Sequence, residues 1–235
     1  MNKARDEIVQ RIRAALRDVP VDETPAMVER AYRQTSTATR PELIAQFAKR
    51  VAEYKVVVQQ VTPDELLGAI SAACATRGVR TLVVPADGYH TILPAGWAPT
   101  GVELLRDQRL TNTQLDQSNG VLTGCALAIA QTGTIVLDSG VGQGRRAITL
   151  LPDYHLCVVR DDQIVDLVAE AVARLDPLAQ HAAGLPENKR PITWISGPSA
   201  TSDIELNRVE GVHGPRTLDV LIVVQQAEMK LDADE

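Results

Sequence analysis

Between Lys55 and Val84 the chain runs β-rich (Lys55 to Val61), then helical, then β-rich again (Thr81 to Val84), and the helix has an explicit start. Thr62 stands at the N-cap, Pro63 at the first helical position and Glu65 three residues after the cap. This grouping satisfies free backbone N–H groups and stops the preceding strand. The helix is expected to run through Ala75. A strand, helix and strand of these lengths make a βαβ unit, which implies parallel pairing and a right-handed crossover. The chain is therefore constrained to an α/β fold.

The rest of the chain supplies similar alternation. An amphipathic helix over residues 2–17 puts Ile8, Ile12, Ala15 and Leu16 on one face. Between Asp18 and Pro41 the pattern gives way to Pro20, Pro25 and the run from Gln34 to Thr39, which reads as a mobile linker. A helix follows over 42–53. After the βαβ unit come a short strand at Val102 to Leu105, a short helix at Leu110 to Gln117 and an apolar stretch over 121–138. That stretch reads as a β-hairpin with Gly133 at a positive φ, its clearest part near 126–137. A strand at Leu156 to Val159, a helix at Gln163 to Leu175, a loose segment at 176–191, and strands at 192–195 and Leu218 to Val224 complete the pattern. The expected organisation is an N-terminal helix and linker (1–40), one α/β domain (41–227) and a frayed acidic tail (228–235).

Composition narrows the partners. Hydrophobic residues make up 45% of the chain but aromatic residues only 3%, so the core must come from Val, Ile, Leu and Ala, and platforms for stacking nucleic-acid bases are scarce. A net charge of −6 argues against a nucleic-acid or anionic-membrane surface as the main partner. No apolar run approaches the roughly 20 residues that span a bilayer, no secretory h-region is visible, and the expected location is cytoplasmic. Cys74, Cys125 and Cys157 lie far apart without metal-ligand spacing, so they are expected to be buried and unreactive, and no metal is assigned to this chain.

Four polar loops could carry chemistry. The run Ser196-Gly197-Pro198-Ser199-Ala200-Thr201-Ser202-Asp203-Ile204-Glu205 breaks a strand with turn formers and hydroxyls, leaving Ser199, Thr201 and Asp203 to cap a turn whose N–H groups can hold an anion. A plain capped turn is the alternative, with Glu205 paired to Arg208. The glycine-rich loop at 139–146 combines Gly142 and Gly144 with Arg145 and Arg146, a mixture suited to phosphate or carboxylate. It lacks the endings of a P-loop or dinucleotide fingerprint, and a solvated surface loop explains it as well. His213, between Gly211 and Gly214, is the histidine best placed for function. His155, at the start of a strand, is expected to make a structural hydrogen bond. The hairpin turn Gln131-Thr132-Gly133-Thr134 is the fourth loop. Serine hydrolysis is disfavoured, since Gly-x-Ser-x-Gly is absent. Such loops are expected to gather at the carboxyl ends of the parallel strands.

Taken together, Gln131-Thr132-Gly133-Thr134, Gly142-Gln143-Gly144-Arg145-Arg146, Leu151-Pro152-Asp153-Tyr154-His155, Ser196 to Glu205 and Gly211-Val212-His213-Gly214-Pro215 resemble the LUD-domain family over about Val51 to Val224. The resemblance implies a three-layer α/β/α fold with a mainly parallel sheet, like that of glucosamine-phosphate deaminase, ribose-phosphate isomerase and CoA transferases. It further implies a role in lactate utilization, as the non-redox subunit of a system that oxidises L-lactate to pyruvate. Iron–sulfur clusters are then expected on partner proteins and not on this chain; the loop chemistry, in turn, leads to the expectation of a small organic or phosphorylated anion held by the backbone of 197–203, Arg145 or Arg146, and His213. Relatives commonly carry Glu where this chain has Gln131, so no acid–base role follows there. The alternatives are a stand-alone acyl- or CoA-transferase-like or sugar-phosphate isomerase-like enzyme, and a pure assembly factor.

Overall fold

The computed structural model describes residues 3–18, 31–175, 191–202 and 208–225. Two compact units are present, residues 1–33 and 34–235. In the first, helix α1 (Lys3–Ala15) carries an Arg11–Glu7 ion pair at 2.7 Å and buries none of its residues. Most of the expected linker (19–30), the segment 176–190 and the acidic tail from residue 226 lie outside the described residues. The Gln34 to Thr39 run is tied down instead of loose: the Ser36 hydroxyl donates to Asp166 at 2.7 Å, and its N–H donates to Glu170 at 2.9 Å. Composition marked this run as linker because Ser and Thr are polar; their hydroxyls are what fasten it.

The second unit is built on a six-stranded sheet, all parallel. Its strands are β1 (Val57–Val61), β2 (Thr81–Val84), β3 (Glu103–Arg106), β4 (Gly120–Thr123), β7 (Tyr154–Arg160) and β12 (Thr217–Val223), in the order β1-β12-β7-β4-β2-β3. The expected βαβ unit is parallel, but its strands are not neighbours: β12, β7 and β4 lie between β1 and β2. Burial accounts for this order. β7 and β12 are buried along nearly their whole lengths and take the centre, whereas β1 is largely exposed and sits at an edge.

On one face, α3 (Leu66–Thr76) packs Ala69, Ile70 and Cys74 against Leu156, Val158, Leu221 and Val223. The Thr62 N–H and hydroxyl both donate to Glu65, at 2.9 and 3.0 Å, so the expected capping contact forms, although the regular helix starts only at Leu66. On the other face lie α2 (Arg40–Ala52), which buries Leu43, Ile44, Phe47 and Val51, and a second, four-stranded sheet. The result is a three-layer α/β fold.

The second sheet has the order β8-β5-β6-β9, from β5 (Leu127–Ile129), β6 (Thr134–Leu137), β8 (Ile164–Val165) and β9 (Thr193–Ile195). β5 and β6 are an antiparallel hairpin with Gly133 at φ 63°, as expected. The preceding Val121 to Thr123, read as part of that hairpin, belongs to β4 of the large sheet. The chain leaves β4 at Gly124, whose N–H donates to the Gly142 carbonyl at 2.8 Å. The expected helix from Gln163 is also divided: Ile164 and Val165 pair with β5, and only Val168–Leu175 is helical (α6). After β9 the chain continues into a two-stranded ribbon, β10 (Ala200–Ser202) and β11 (Arg208–Glu210), so Ala200 to Ser202 of the expected capped turn are strand.

Candidate functional site

The four loops do not converge on one place. The Gln131–Thr134 turn packs on the end of α2: a Cβ at Gly133 would lie 2.6 Å from the Val51 nitrogen, so the turn requires glycine for space as well as for φ. Thr132, Thr134 and Ser196 form a chain of hydroxyl contacts, each 2.7 Å, and the Gln131 N–H donates to the Asp166 carbonyl. The exposed Gln131 side chain borders neither of the two cavities described below.

The glycine-rich loop already holds anions, and they are the protein's own. The Gly140 N–H donates to Asp138 and the Gly142 N–H to Asp87, both at 2.9 Å. The Arg145 guanidinium forks onto Asp107 at 2.7 and 2.9 Å and also reaches the Leu110 carbonyl. Bonding to Asp107 raises the Arg145 pKa above its ordinary value. The chemistry expected of Gly142 and Arg145 is present but is used to brace the loop. Gly144 is left-handed at φ 70° and abuts Ile148.

Arg146 has a different environment. It begins the 3-10 turn Arg146–Thr149; its Nη1 donates to the Thr149 hydroxyl at 3.2 Å, and its Nη2 makes a long contact to the His213 carbonyl at 3.4 Å. Among the described residues no carboxylate pairs with it, and burial lowers its pKa below the ordinary guanidinium value. It stays charged, as a guanidinium does throughout the physiological range.

Arg146 lines a cavity of about 260 Å³ that it shares with Thr149, His155, Trp194, Ser196 to Ser199, His213, Gly214 and Leu218. Three of the expected segments therefore meet: the end of the arginine loop, the 196–199 turn and the Gly-His-Gly loop. The last two are zipped together, since the Ser199 N–H donates to the Pro215 carbonyl at 2.8 Å and the Ser199 hydroxyl accepts the His213 N–H at 2.9 Å. Ser199 thus fixes the wall, and the exposed His213 contributes backbone to it. Thr201 sits in β10 opposite Val209, while Asp203 and Glu205 lie outside the described residues.

The cavity's position corrects the expectation of a carboxyl-end site. His155 and Leu218 are paired across β7 and β12, each the second residue of its strand, so this is the amino end of the large sheet. The long 139–153 connection makes this possible: it leaves the carboxyl-end side at Gly142 and brings Arg146 and Thr149 back to where β7 begins.

His155 is the residue that the sequence undervalued. It is 1% exposed, and Nε2 lies 2.7 Å from the Thr123 hydroxyl. Burial, and secondarily the charge of Arg146, lower its pKa from 6.5 to about 4, so the ring is neutral at pH 7. The expected structural hydrogen bond exists, but the ring also borders the cavity. A histidine inside an otherwise apolar strand was the signal. Trp194, 43% exposed at the cavity, also passed unnoticed.

A larger cavity of about 610 Å³ opens at the carboxyl ends, bordered by Gly124, Cys125, Val158, Arg160, Val223 and Gly140 to Gln143. Its amides are committed: Gln163 bridges the Cys125 carbonyl and the Arg160 N–H, and Gln143 bridges the Asp138 N–H and carboxylate. Cys74, Cys125 and Cys157 are all free thiols and buried. Burial pushes the Cys74 pKa up to about 11, and contact with Cys157 together with burial raises that of Cys125. Among the described residues, no group of three or more His, Cys, Asp or Glu is placed to hold a metal ion, and no helix is long and apolar enough to cross a membrane.

A parallel sheet layered with helices, carrying a small cation-lined cavity, defines an α/β protein with a candidate anion site. Residues 44–223 match the LUD domain, and the chain belongs to the LUD domain family. It is 47% identical over 193 residues to lactate utilization protein C of Deinococcus radiodurans, covering 82% of this chain and 84% of that protein. It is 29% identical over 177 residues to lactate utilization protein C of Geobacillus thermodenitrificans, covering 71% and 72%. A crystal structure of a DUF162 family protein from Deinococcus radiodurans superposes with a TM-score of 0.62 at 41% identity, over 79% of this chain and 99% of that one.

Proposed function

We propose that this chain serves lactate utilization as a non-redox subunit that holds a small organic anion at the Arg146 cavity, in a system oxidising L-lactate to pyruvate. The relatives' names support the pathway. The observation that carries the site is Arg146: a partly buried guanidinium with no carboxylate partner among the described residues, facing a cavity beside a neutral imidazole. A partly buried charge without a counter-ion gains from a matching anion, and a carboxylate matches a guanidinium's fork. The volume of about 260 Å³ lies below the roughly 300–1,000 Å³ of sites for drug-sized ligands, which suits a short acid.

In this reading the electrons pass through iron–sulfur clusters on partner proteins, with residues 1–33 as the docking arm. The setting is the cytoplasm, where three free cysteines stay reduced. Titration with L-lactate or pyruvate should change the fluorescence of Trp194, and Trp194→Phe should remove the change while leaving Trp97 emission. A flat titration of the unaltered chain would count against the site. Iron–sulfur proteins should co-purify with the full chain and be lost on deletion of residues 1–33.

A further inference from the structure

We infer that His155 presents an Nδ1–H donor to the cavity and thereby makes it select acids with an acceptor oxygen on C2: 2-oxo acids first, 2-hydroxy acids second, unsubstituted carboxylates last. This rests on the reading that Arg146 holds a carboxylate there.

Thr123 is 0% exposed. Its hydroxyl has one described partner, Nε2 of His155 at 2.7 Å. A buried hydroxyl must place its proton on an acceptor or leave a polar hydrogen orphaned. If Nε2 carried the ring proton, it would donate to the Thr123 oxygen, and the hydroxyl proton would have no acceptor among the described residues. With Thr123 donating instead, Nε2 supplies its lone pair and the proton of the neutral ring sits on Nδ1. No described residue bonds Nδ1, and the Arg146 cavity is the space that His155 borders.

The cavity then offers two fixed sets of donors, the Arg146 guanidinium and Nδ1–H, with the Leu218 side of the wall apolar. A carboxylate takes the guanidinium. The oxygen on C2 of a 2-oxo acid is purely an acceptor and satisfies Nδ1–H outright. A 2-hydroxy oxygen can also accept, but must then turn its own proton elsewhere. An unsubstituted acid leaves Nδ1–H unpaired in a desolvated place.

The test is titration of the intact chain with pyruvate, L-lactate and propionate, alongside the ¹⁵N resonances of His155. Pyruvate is expected to bind about 10-fold tighter than propionate, with lactate between, and the ring to show protonated Nδ1 and bare Nε2. Thr123→Val releases Nε2 and should compress the pyruvate-to-propionate ratio to about 3-fold or less while affinity still depends on Arg146. Equal, Arg146-dependent binding of pyruvate and propionate, or a proton on Nε2, overturns the inference and leaves the carboxylate site standing. No binding by any of the three acids, or binding indifferent to Arg146→Ala, overturns both.

Discussion

The two ends of the large sheet present two cavities that differ in opposite senses. The carboxyl-end cavity is more than twice as large and occupies the place where α/β sheets usually bind ligands, yet its glutamines and its glycine N–H groups are spent on the protein's own atoms. The amino-end cavity is smaller and stands in the unusual position, yet it holds a cation without a carboxylate partner among the described residues and a buried neutral imidazole. Volume and topology favour one end; uncommitted hydrogen-bonding capacity favours the other. Capacity is the better guide to binding, because a satisfied polar group gains little from a ligand whereas a desolvated, unmatched one gains much.

The contrast can be strained from either side. The largest effect expected is on stability against pH and belongs to the amino end. The His155 pKa, about 4 when folded, lies below its value of 6.5 when unfolded, so the unfolded chain takes up the proton first. The stability is fully present above pH 6.5 and is lost progressively as pH falls toward 4, by about 3 kcal/mol. Urea melts of the native chain and of His155→Gln at pH 7, 5 and 4 should converge as the pH drops. Parallel curves would mean that the ring is not buried neutral.

Next in size, Asp107→Ala removes the carboxylate that anchors Arg145. Asp107 is 8% exposed and the pair is bidentate, so about 2 kcal/mol of stability should be lost in denaturant melts. Binding of pyruvate by the folded fraction should remain, since this brace does not line the amino-end cavity. A comparable effect, about 2 kcal/mol, is expected of Gly133→Ala, which puts a methyl at positive φ and against the α2 backbone; it too should leave binding intact.

What the sequence conveyed divides along the same line. Local signals were readable: β2 falls on Thr81–Val84 as expected, Gly133 takes its positive φ, and the Thr62–Glu65 capping contact forms. Long-range order was not. Nothing near β1 or β2 reveals that β12, β7 and β4 will insert between them, because the centre goes to whichever strands can be buried on both faces. The arginine pair makes the point most sharply. Arg145 and Arg146 are adjacent and chemically identical in a linear reading, and only the fold commits the first to Asp107 and leaves the second without a carboxylate partner among the described residues. His155 was recognised as a hydrogen-bonded strand residue, but the cavity beside it depends on Arg146, Trp194 and Gly214, brought from three other segments.

In the proposed function Arg146, and not its neighbour, is the cation that meets a ligand. Calorimetric titration of pyruvate into the native chain, Arg146→Ala and Arg145→Ala, each verified as folded, tests this directly. Binding by the native chain, a loss of affinity of at least about 10-fold in Arg146→Ala, and little change in Arg145→Ala are expected. Equal losses in both variants, or a loss confined to Arg145→Ala, would contradict it.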